Sequence, residues 1–328
     1  MWTTERRSRG SALLAVLWLS AALSAVAFSL ANTVRGETER AATAVDGLRS
    51  EYLAGAALRR AILYMDWARK HPEEPRLKPP GAAYPFTFPE GETVVEIIPE
   101  TSKLSLNQAS GEDLLRLLMS LGLDEGHAQE IVAAIIDWRS PSPAGPSPFD
   151  GYYQTLRPPF HAPHAPFQEV EELLSVRGVT PDIYYGTWAR APEGTPRRLL
   201  ARNGLADCVS VFGSTGQFDV NTAPPAVLTA IGVAPDAIAA IVERRRVSAF
   251  RTPGDLAAFA QSAGPGFGRL RIGGNSIFTL RATARLRLAN GQLSDLRRTV
   301  AAQVKLMPPG YDASYHILRW YDNATPGF

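Results

Sequence analysis

Residues 11–31 carry no charged side chain, and no proline occurs before Pro72. A run of about twenty apolar residues is long enough to cross a bilayer as a helix. Arg6, Arg7 and Arg9 precede it, opposed only by Glu5. That cationic flank predicts a short cytoplasmic N-terminus, with the bulk of the chain on the outer, periplasmic side of an inner membrane. Proline would break a helix, so its absence allows one helix to run from Ser11 to about Lys70. Val45, Leu48, Tyr52 and Ala56 recur at three- to four-residue spacing, Arg59 interrupts the stripe, and Leu63 resumes it, which predicts an amphipathic face beyond the membrane. Gly36, Gly47 and Gly55 weaken the helix locally. A cleaved signal peptide is the competing reading, since Ala25-Val26-Ala27 offers a cleavage site. Against it, the apolar run continues to Leu30 and Ala31.

The C-terminal body reads as helices followed by strands. His71 to Pro89 is a proline-rich turn region, and 93–98 is a strand rich in β-branched residues. A module then runs through Leu106-Asn107-Gln108-Ala109, Leu114, Leu117, Leu118, Leu121-Gly122-Leu123 and Ile131-Val132. A second runs through Val220-Asn221-Thr222-Ala223, Leu228, Ile231-Gly232-Val233 and Ile241-Val242. Each has a tail, Phe167 with Leu173 and Phe250 with Leu256. This pattern predicts a duplicated helix–hairpin–helix unit. Asn107 and Asn221 are expected to cap the first helix of each copy, and Gly122 and Gly232 to occupy positive-φ turns. The first copy alone carries an insertion dense in Pro, Ser and Gly, from about Trp138 to Pro166. From Ser276 to Leu288 apolar and polar residues largely alternate, and 296–306 supplies a return strand. Asn290-Gly291 between them signals a two-residue hairpin, and 315–320 reads as a further strand.

The chemistry on offer is thin. With a net charge of +2, bulk charge does not suggest a polyanion binder. Cys208 is the only cysteine, which excludes an internal disulfide and a cysteine-based zinc site. Gly213-Ser214-Thr215-Gly216 has the wrong spacing for a nucleophile elbow. Gly264-Pro265-Gly266-Phe267-Gly268 lacks the lysine of a phosphate loop. His161 and His164 have no clustered third ligand in the sequence. Asp137, Asp150, Glu169, Glu171 and Glu172 lie in or beside the insertion, where a folded loop would offer oxygen ligands to calcium; Asp137, Asp150 and Glu171 are the candidates. Hairpins of this kind bind nucleic-acid phosphates through turn amides, so a membrane-anchored DNA-binding protein is the alternative. The first turn is acidic at Asp124-Glu125, and the second contains Pro235, which has no N–H; Arg244, Arg245 and Arg246 are its basic candidates. A secreted periplasmic enzyme is a further alternative, for which no catalytic set emerges.

Arg9-Gly10 directly before the apolar run resembles a type IV prepilin leader. Further residues fall in order: Ser11-Ala12-Leu13-Leu14, Leu106-Asn107, Asp137-Trp138, Gly151-Tyr152-Tyr153, Pro166-Phe167, Glu171-Glu172-Leu173, Val176-Arg177-Gly178-Val179 and Val220-Asn221-Thr222-Ala223-Pro224. Together they resemble the minor pseudopilin K family of the type II secretion system. Most pilin-like chains carry Glu at the fifth mature position; here it is Ala15, a departure that members of this family share.

The resemblance implies an α+β fold, a pilin-like long N-terminal helix packed on an antiparallel sheet, with an inserted helical domain containing helix–hairpin–helix (SAM-like) repeats. The divisions it suggests are a leader at 1–10, a transmembrane helix at 11–31, and a periplasmic helix with the first strand of the pilin body at 32–102. An inserted helical domain follows at 103–205, then a second hairpin-like repeat at 206–262 and C-terminal strands at 263–328. It implies cleavage after Gly10 by a prepilin peptidase, with methylation of Ser11. The helix, including Leu13, Leu14, Leu17 and Trp18, would pack in the bilayer and on neighbours, and Val45 to Leu63 on the sheet and neighbouring pseudopilins. The implied role is initiating or capping the pseudopilus at its tip, with the I and J minor pseudopilins, other pseudopilins and the inner-membrane secretion platform as partners and no nucleic acid. Some members bind calcium in the helical domain, using further aspartates after the Asp-Trp pair; Ser140 and Ser142 stand in that stretch here.

Overall fold

The computed structural model describes residues 8–71, 83–141, 145–190, 199–274 and 276–324. The side chains of 8–10, 189–190 and 199–201 are outside that description. Helix α1 (Ser8–Lys70) is continuous, as the lack of proline predicts. Two strands follow, β1 (Ala83–Phe88) and β2 (Gly91–Pro99). Strand β1 corrects the expectation that this stretch is only a turn region. Its alternation of exposed Ala83, Pro85 and Thr87 with buried Tyr84 and Phe86 is a strand pattern that the prolines mask. Pro85 is tolerated because β1 lies at the sheet edge.

The chain then leaves the sheet. In order come β3 (Leu104–Ser105), α2 (Gly111–Ser120), α3 (Glu125–Arg139), α4 (Asp150–Thr155) and α5 (Pro181–Tyr185). A small ribbon, β4 (Thr187–Arg190) with β5 (Leu199–Arg202), precedes α6 (Leu205–Cys208), β6 (Val209–Ser210) and β7 (Phe218–Asp219). Then come α7 (Pro225–Ala230), α8 (Pro235–Val247), α9 (Pro253–Ala257) and β8 (Leu270–Arg271). The chain returns as β9 (Ile277–Leu286), β10 (Arg298–Leu306) and β11 (Tyr315–Tyr321). The main sheet has the order β1-β2-β9-β10-β11, every neighbouring pair antiparallel. Strands β2 and β9 are therefore partners across the whole helical insert, which loops out from one end of the sheet.

Two hydrophobic cores result. The first joins one sheet face, including Val95, Leu280, Ala282, Ala302 and Val304, to Leu53, Ala54, Ala57, Leu58, Ala61 and Ile62 of α1. Burying Leu58 and Ile62 contributes about 1.5–3 kcal/mol each. The second fills the insert, around Leu104, Leu117, Trp138, Tyr153, Phe167, Phe218 and Phe250. The stripe proposed for α1 needs correction: Val45, Leu48, Tyr52, Ala56 and Leu63 all face outward, and the opposite face meets the sheet. That buried face is lined with alanines and Ser50, small enough for the helix to lie close against the equally small Ala282, Ala284 and Ala302.

The β9–β10 turn also differs from expectation. Leu288 N–H donates to Gln292 O, and Gly291 N–H donates to Leu288 O, both at 2.8 Å. The loop is thus three residues, with Gly291 at φ 82°. A tight turn followed by a left-handed glycine is the next commonest hairpin solution, and it uses the same Asn-Gly pair.

Candidate functional site

The N-terminal half of α1 stands apart from the body. Gly10 and Ser11 lie in its first turns. Leu13, Leu14, Leu17 and Trp18 are 60–74% exposed, as are Leu23, Phe28 and Leu30 beyond them at a similar level. By length and composition this helix can cross a membrane, which is compatible with a single-pass anchor.

The insert is built from two geometrically equivalent copies. In each, two helices meet at a glycine with positive φ, Gly122 (86°) between α2 and α3 and Gly232 (87°) between α7 and α8. Asn107 and Asn221 do not cap these helices; Ser110 caps α2, and Pro224 occupies the N-cap position of α7. Instead each asparagine clamps the tail of its own copy. Asn107 Nδ2 donates to Phe167 O at 3.0 Å, and Phe167 N–H donates back to Asn107 Oδ1 at 2.7 Å. Asn221 does the same with Phe250, at 3.0 and 2.8 Å. The tails repeat as well: Glu172 accepts from the Gln168 and Glu169 amides, as Asp255 does from Arg251 and Thr252. An arginine from the second helix of each copy ties down the segment around the asparagine. Arg139 donates to the Leu106 and Ala109 carbonyls, and Arg245 to those of Val220 and Ala223, all at 2.7–3.0 Å. The sequence signal for this was present as Leu106-Asn107 and Val220-Asn221, but not its partner.

The copies pack through their first helices, where Arg116 Nε donates to Ala230 O at 2.8 Å. Asp113, 6% exposed, receives Arg269 on both oxygens at 2.9 and 2.8 Å, and Arg116 at 3.0 Å. Desolvation pushes its pKa up, but these guanidinium hydrogen bonds outweigh it and hold the carboxyl below its ordinary value.

The residues read as a nucleic-acid surface are engaged internally. Arg244 bonds Ser248 O and Asp255, Arg245 bonds the two carbonyls above, and Arg246 pairs with Glu243. The second turn is covered, since Gly266 N–H donates to Gly232 O and a Cβ at Gly266 would lie 2.5 Å from Val233 N. Cys208 is fully buried, and burial pushes its thiol pKa up.

Of the candidate calcium ligands, the fold brings two together. Asp137 closes α3 and Asp150 opens α4. Ser147 links them, donating its hydroxyl to Asp137 Oδ2 at 2.9 Å and its N–H to Asp150 Oδ2 at 2.7 Å. His164 completes the ring, with Nε2 3.0 Å from Asp150 Oδ1 and Nδ1 3.2 Å from Asp137 O. Desolvation pushes the imidazole pKa down, but the hydrogen bonds to Asp150 and the Asp137 carbonyl, together with the two carboxylate charges, outweigh it and the net shift is upward. Glu171 is elsewhere, in a cleft of about 300 Å³ between insert and sheet with Glu100, Lys103, Asp207 and Arg281. Among the described residues, no three His, Cys, Asp or Glu side chains are grouped to hold a metal ion. Calcium needs about six to eight oxygen ligands; here both Asp150 oxygens already accept from protein donors, and an imidazole points at the shared space. The donor set does not fit a calcium ion.

The remaining sequence motifs around this ring form one apolar cluster. Trp138 stacks on Phe167 (6.0 Å, 12° between planes) and meets Tyr153 edge-on at 5.5 Å. Its Nε1 donates to Glu172 at 3.3 Å, and the Arg177 N–H donates to the Tyr153 hydroxyl at 3.3 Å.

Comparison with known proteins agrees with this architecture. Residues 98–186 match the family described as Type II secretion system (T2SS), protein K. Over 200 residues the chain is 28% identical to type II secretion system protein K of Klebsiella pneumoniae, an alignment covering 55% of this chain and 61% of that relative. The chain thus spans less than two thirds of that relative's length. The fold is similar to a chain in the crystal structure of the GspK–GspI–GspJ complex from the enterotoxigenic Escherichia coli type 2 secretion system. That likeness has a TM-score of 0.56 at 15% identity and covers 88% of this chain and 100% of the other. The family match covers much of the first half of the insert, including the first helix pair, the Asp137–His164 ring and the Trp138 cluster, and it falls on the same type II secretion system protein K family that the sequence resembles.

Proposed function

We propose that this chain is a minor pseudopilin of a type II secretion system that initiates or caps the pseudopilus at its tip. It is anchored by α1 in the inner membrane, with a short cytoplasmic N-terminus and a periplasmic body. The observation that carries this reading is the placement of a protein K domain between two neighbouring strands of a sheet that rests on a membrane-length helix. The E. coli structure of similar fold is of a complex of K, I and J components, which supports I- and J-type minor pseudopilins as the partners here. Two features support the tip. Ala15 leaves the fifth residue after Gly10 without a carboxylate to neutralise the amine of a subunit above. The insert also adds bulk at one end of the sheet, which would obstruct further stacking.

The test is the mature N-terminus of the membrane-extracted protein, by mass spectrometry, combined with immunogold labelling of assembled pseudopili. A start at Ser11, methylated or not, with label at one end only is the expected result. A start near Phe28 overturns the pseudopilin reading, and label along the filament overturns the tip assignment.

A further inference from the structure

The loop between α3 and α4 and the segment after α4 are held by the ring of Asp137, Ser147, Asp150 and His164. Each contact joins a different part of the insertion. Asp137 belongs to the end of α3, Ser147 to the incoming loop, Asp150 to the start of α4 and His164 to the outgoing segment. Neighbouring bonds reinforce the same closure: Phe149 N–H donates to Ser147 Oγ at 3.1 Å, and Ala165 N–H donates to Trp138 O at 3.1 Å. The ring is well shielded, with the Asp150 and His164 side chains 17% and 16% exposed.

His164 holds a demanding position. Its φ is 45°, the left-handed region, and among the described residues it is the one non-glycine found there. Such a conformation persists only where surrounding contacts fix it. The imidazole supplies them, since a carboxylate and a carbonyl are both acceptors and each faces one ring nitrogen. A bound cation draws carboxylate and carbonyl oxygens together from separate segments. Here the imidazole does so from within the chain.

We propose that His164 serves as the built-in bridge of this insertion, locking the 145–166 segment onto the end of α3 without any divalent metal. The side chain takes the geometric place of an ion between Asp150 and the Asp137 carbonyl. The surface presented by the insertion is then fixed by the fold itself and does not vary with the calcium concentration outside the membrane. This inference is independent of whether the protein caps a pseudopilus.

Hydrogen exchange measured by mass spectrometry on the full-length protein in detergent micelles tests it. The wild-type protein is compared in EGTA and in millimolar calcium, a range that covers weak extracellular calcium modules. Exchange over 145–166 is expected to be the same in both. His164→Ala should raise exchange in this segment by about tenfold or more, in both buffers, because both hydrogen bonds of the imidazole are lost. Asp150→Asn, which keeps the shape and removes the charge, should raise it in the same segment and leave α1 and the sheet unchanged. The two effects should not add in the double variant. Slower exchange of the wild-type segment on calcium addition would overturn the proposal, and so would additive effects or wild-type exchange in both single variants.

Discussion

Replacing Asn221 by alanine removes both hydrogen bonds that hold the tail of the second copy. Asn221 is 5% exposed and Phe250 is fully buried, so water cannot take over. Each lost bond costs about 1 kcal/mol net, and a buried N–H or carbonyl left without a partner adds about 1–3 kcal/mol. The expected loss is therefore about 2–5 kcal/mol. Asn107 makes the same two bonds to Phe167 but is only half-buried. Solvent can reach the vacated site, and Asn107→Ala should cost about 1–2 kcal/mol. Urea denaturation of the detergent-solubilised chain, followed by far-UV circular dichroism, measures both. Asn221→Asp is the informative control, since it keeps the acceptor for the Phe250 N–H but turns an oxygen toward the Phe250 carbonyl. Its loss should match or exceed that of the alanine variant at neutral pH. A loss below about 1 kcal/mol for Asn221→Ala, or an equal loss for Asn107→Ala, would refute the clamp as the element that closes each copy.

Three further outcomes follow from the same contacts. Leu58→Ala should destabilise the body by about 2–5 kcal/mol in the same urea assay, whereas Leu48→Ala on the outward face should change it by less than about 0.5 kcal/mol. Asp113 has its folded pKa held down, so its contribution is present above the unfolded value of about 3.9 and is lost as pH falls through the folded value. Stability measured as pH falls below about 4 should thus decline more steeply in the wild type than in Asp113→Asn. At pH 7 that variant should be about 1–3 kcal/mol less stable, held to that range because Arg116 and Arg269 are partly exposed. Cys208 should resist iodoacetamide in the folded protein and react on unfolding, as mass spectrometry of the labelled chain would show, because its thiol is buried with a raised pKa.

Much of this architecture was legible because it rests on signals that act locally. The uninterrupted α1, strands β2, β9, β10 and β11, and the two positive-φ glycines each depend on a property of the chain at that point. What stayed hidden depends on contacts distant in sequence. Asn107 and Phe167 are sixty residues apart, and nothing local distinguishes a clamp from a cap, since both use an exposed-looking asparagine before a helix. His164 reads as a surface residue in a proline-rich loop until the fold sets it beside Asp150. The face of α1 was misread for a different reason. Large apolar residues dominate any hydrophobic pattern, and Val45, Leu48, Tyr52 and Leu63 point outward here, while the helix approaches the sheet through Leu53, Leu58 and Ile62 set among Ala54, Ala57 and Ala61. Small residues permit close packing, which gives many dispersion contacts with little apolar surface per residue.

That inversion bears on how the helix works as a whole. A helix meant only to support its own sheet would keep its large apolar residues inside. Instead Leu53, Leu58 and Ile62 are the large aliphatic side chains of α1 fully committed to the sheet, while Val45, Leu48, Tyr52 and Leu63 stand 47–76% exposed on the outer face. They continue, further along the helix, the exposure of Leu13, Leu14, Leu17 and Trp18. Exposed large apolar residues in a contiguous stripe mark an interaction surface. Under the proposed function the membrane-length segment is covered by lipid. The stripe beyond it lies outside the hydrocarbon, since a span of about twenty residues already fills the bilayer. Under the proposed function its cover is the corresponding helices of neighbouring subunits. An aspartate placed at Leu48 should then leave the isolated chain folded while weakening its co-purification with the other pseudopilins, and intact co-purification would remove this face from the assembly surface.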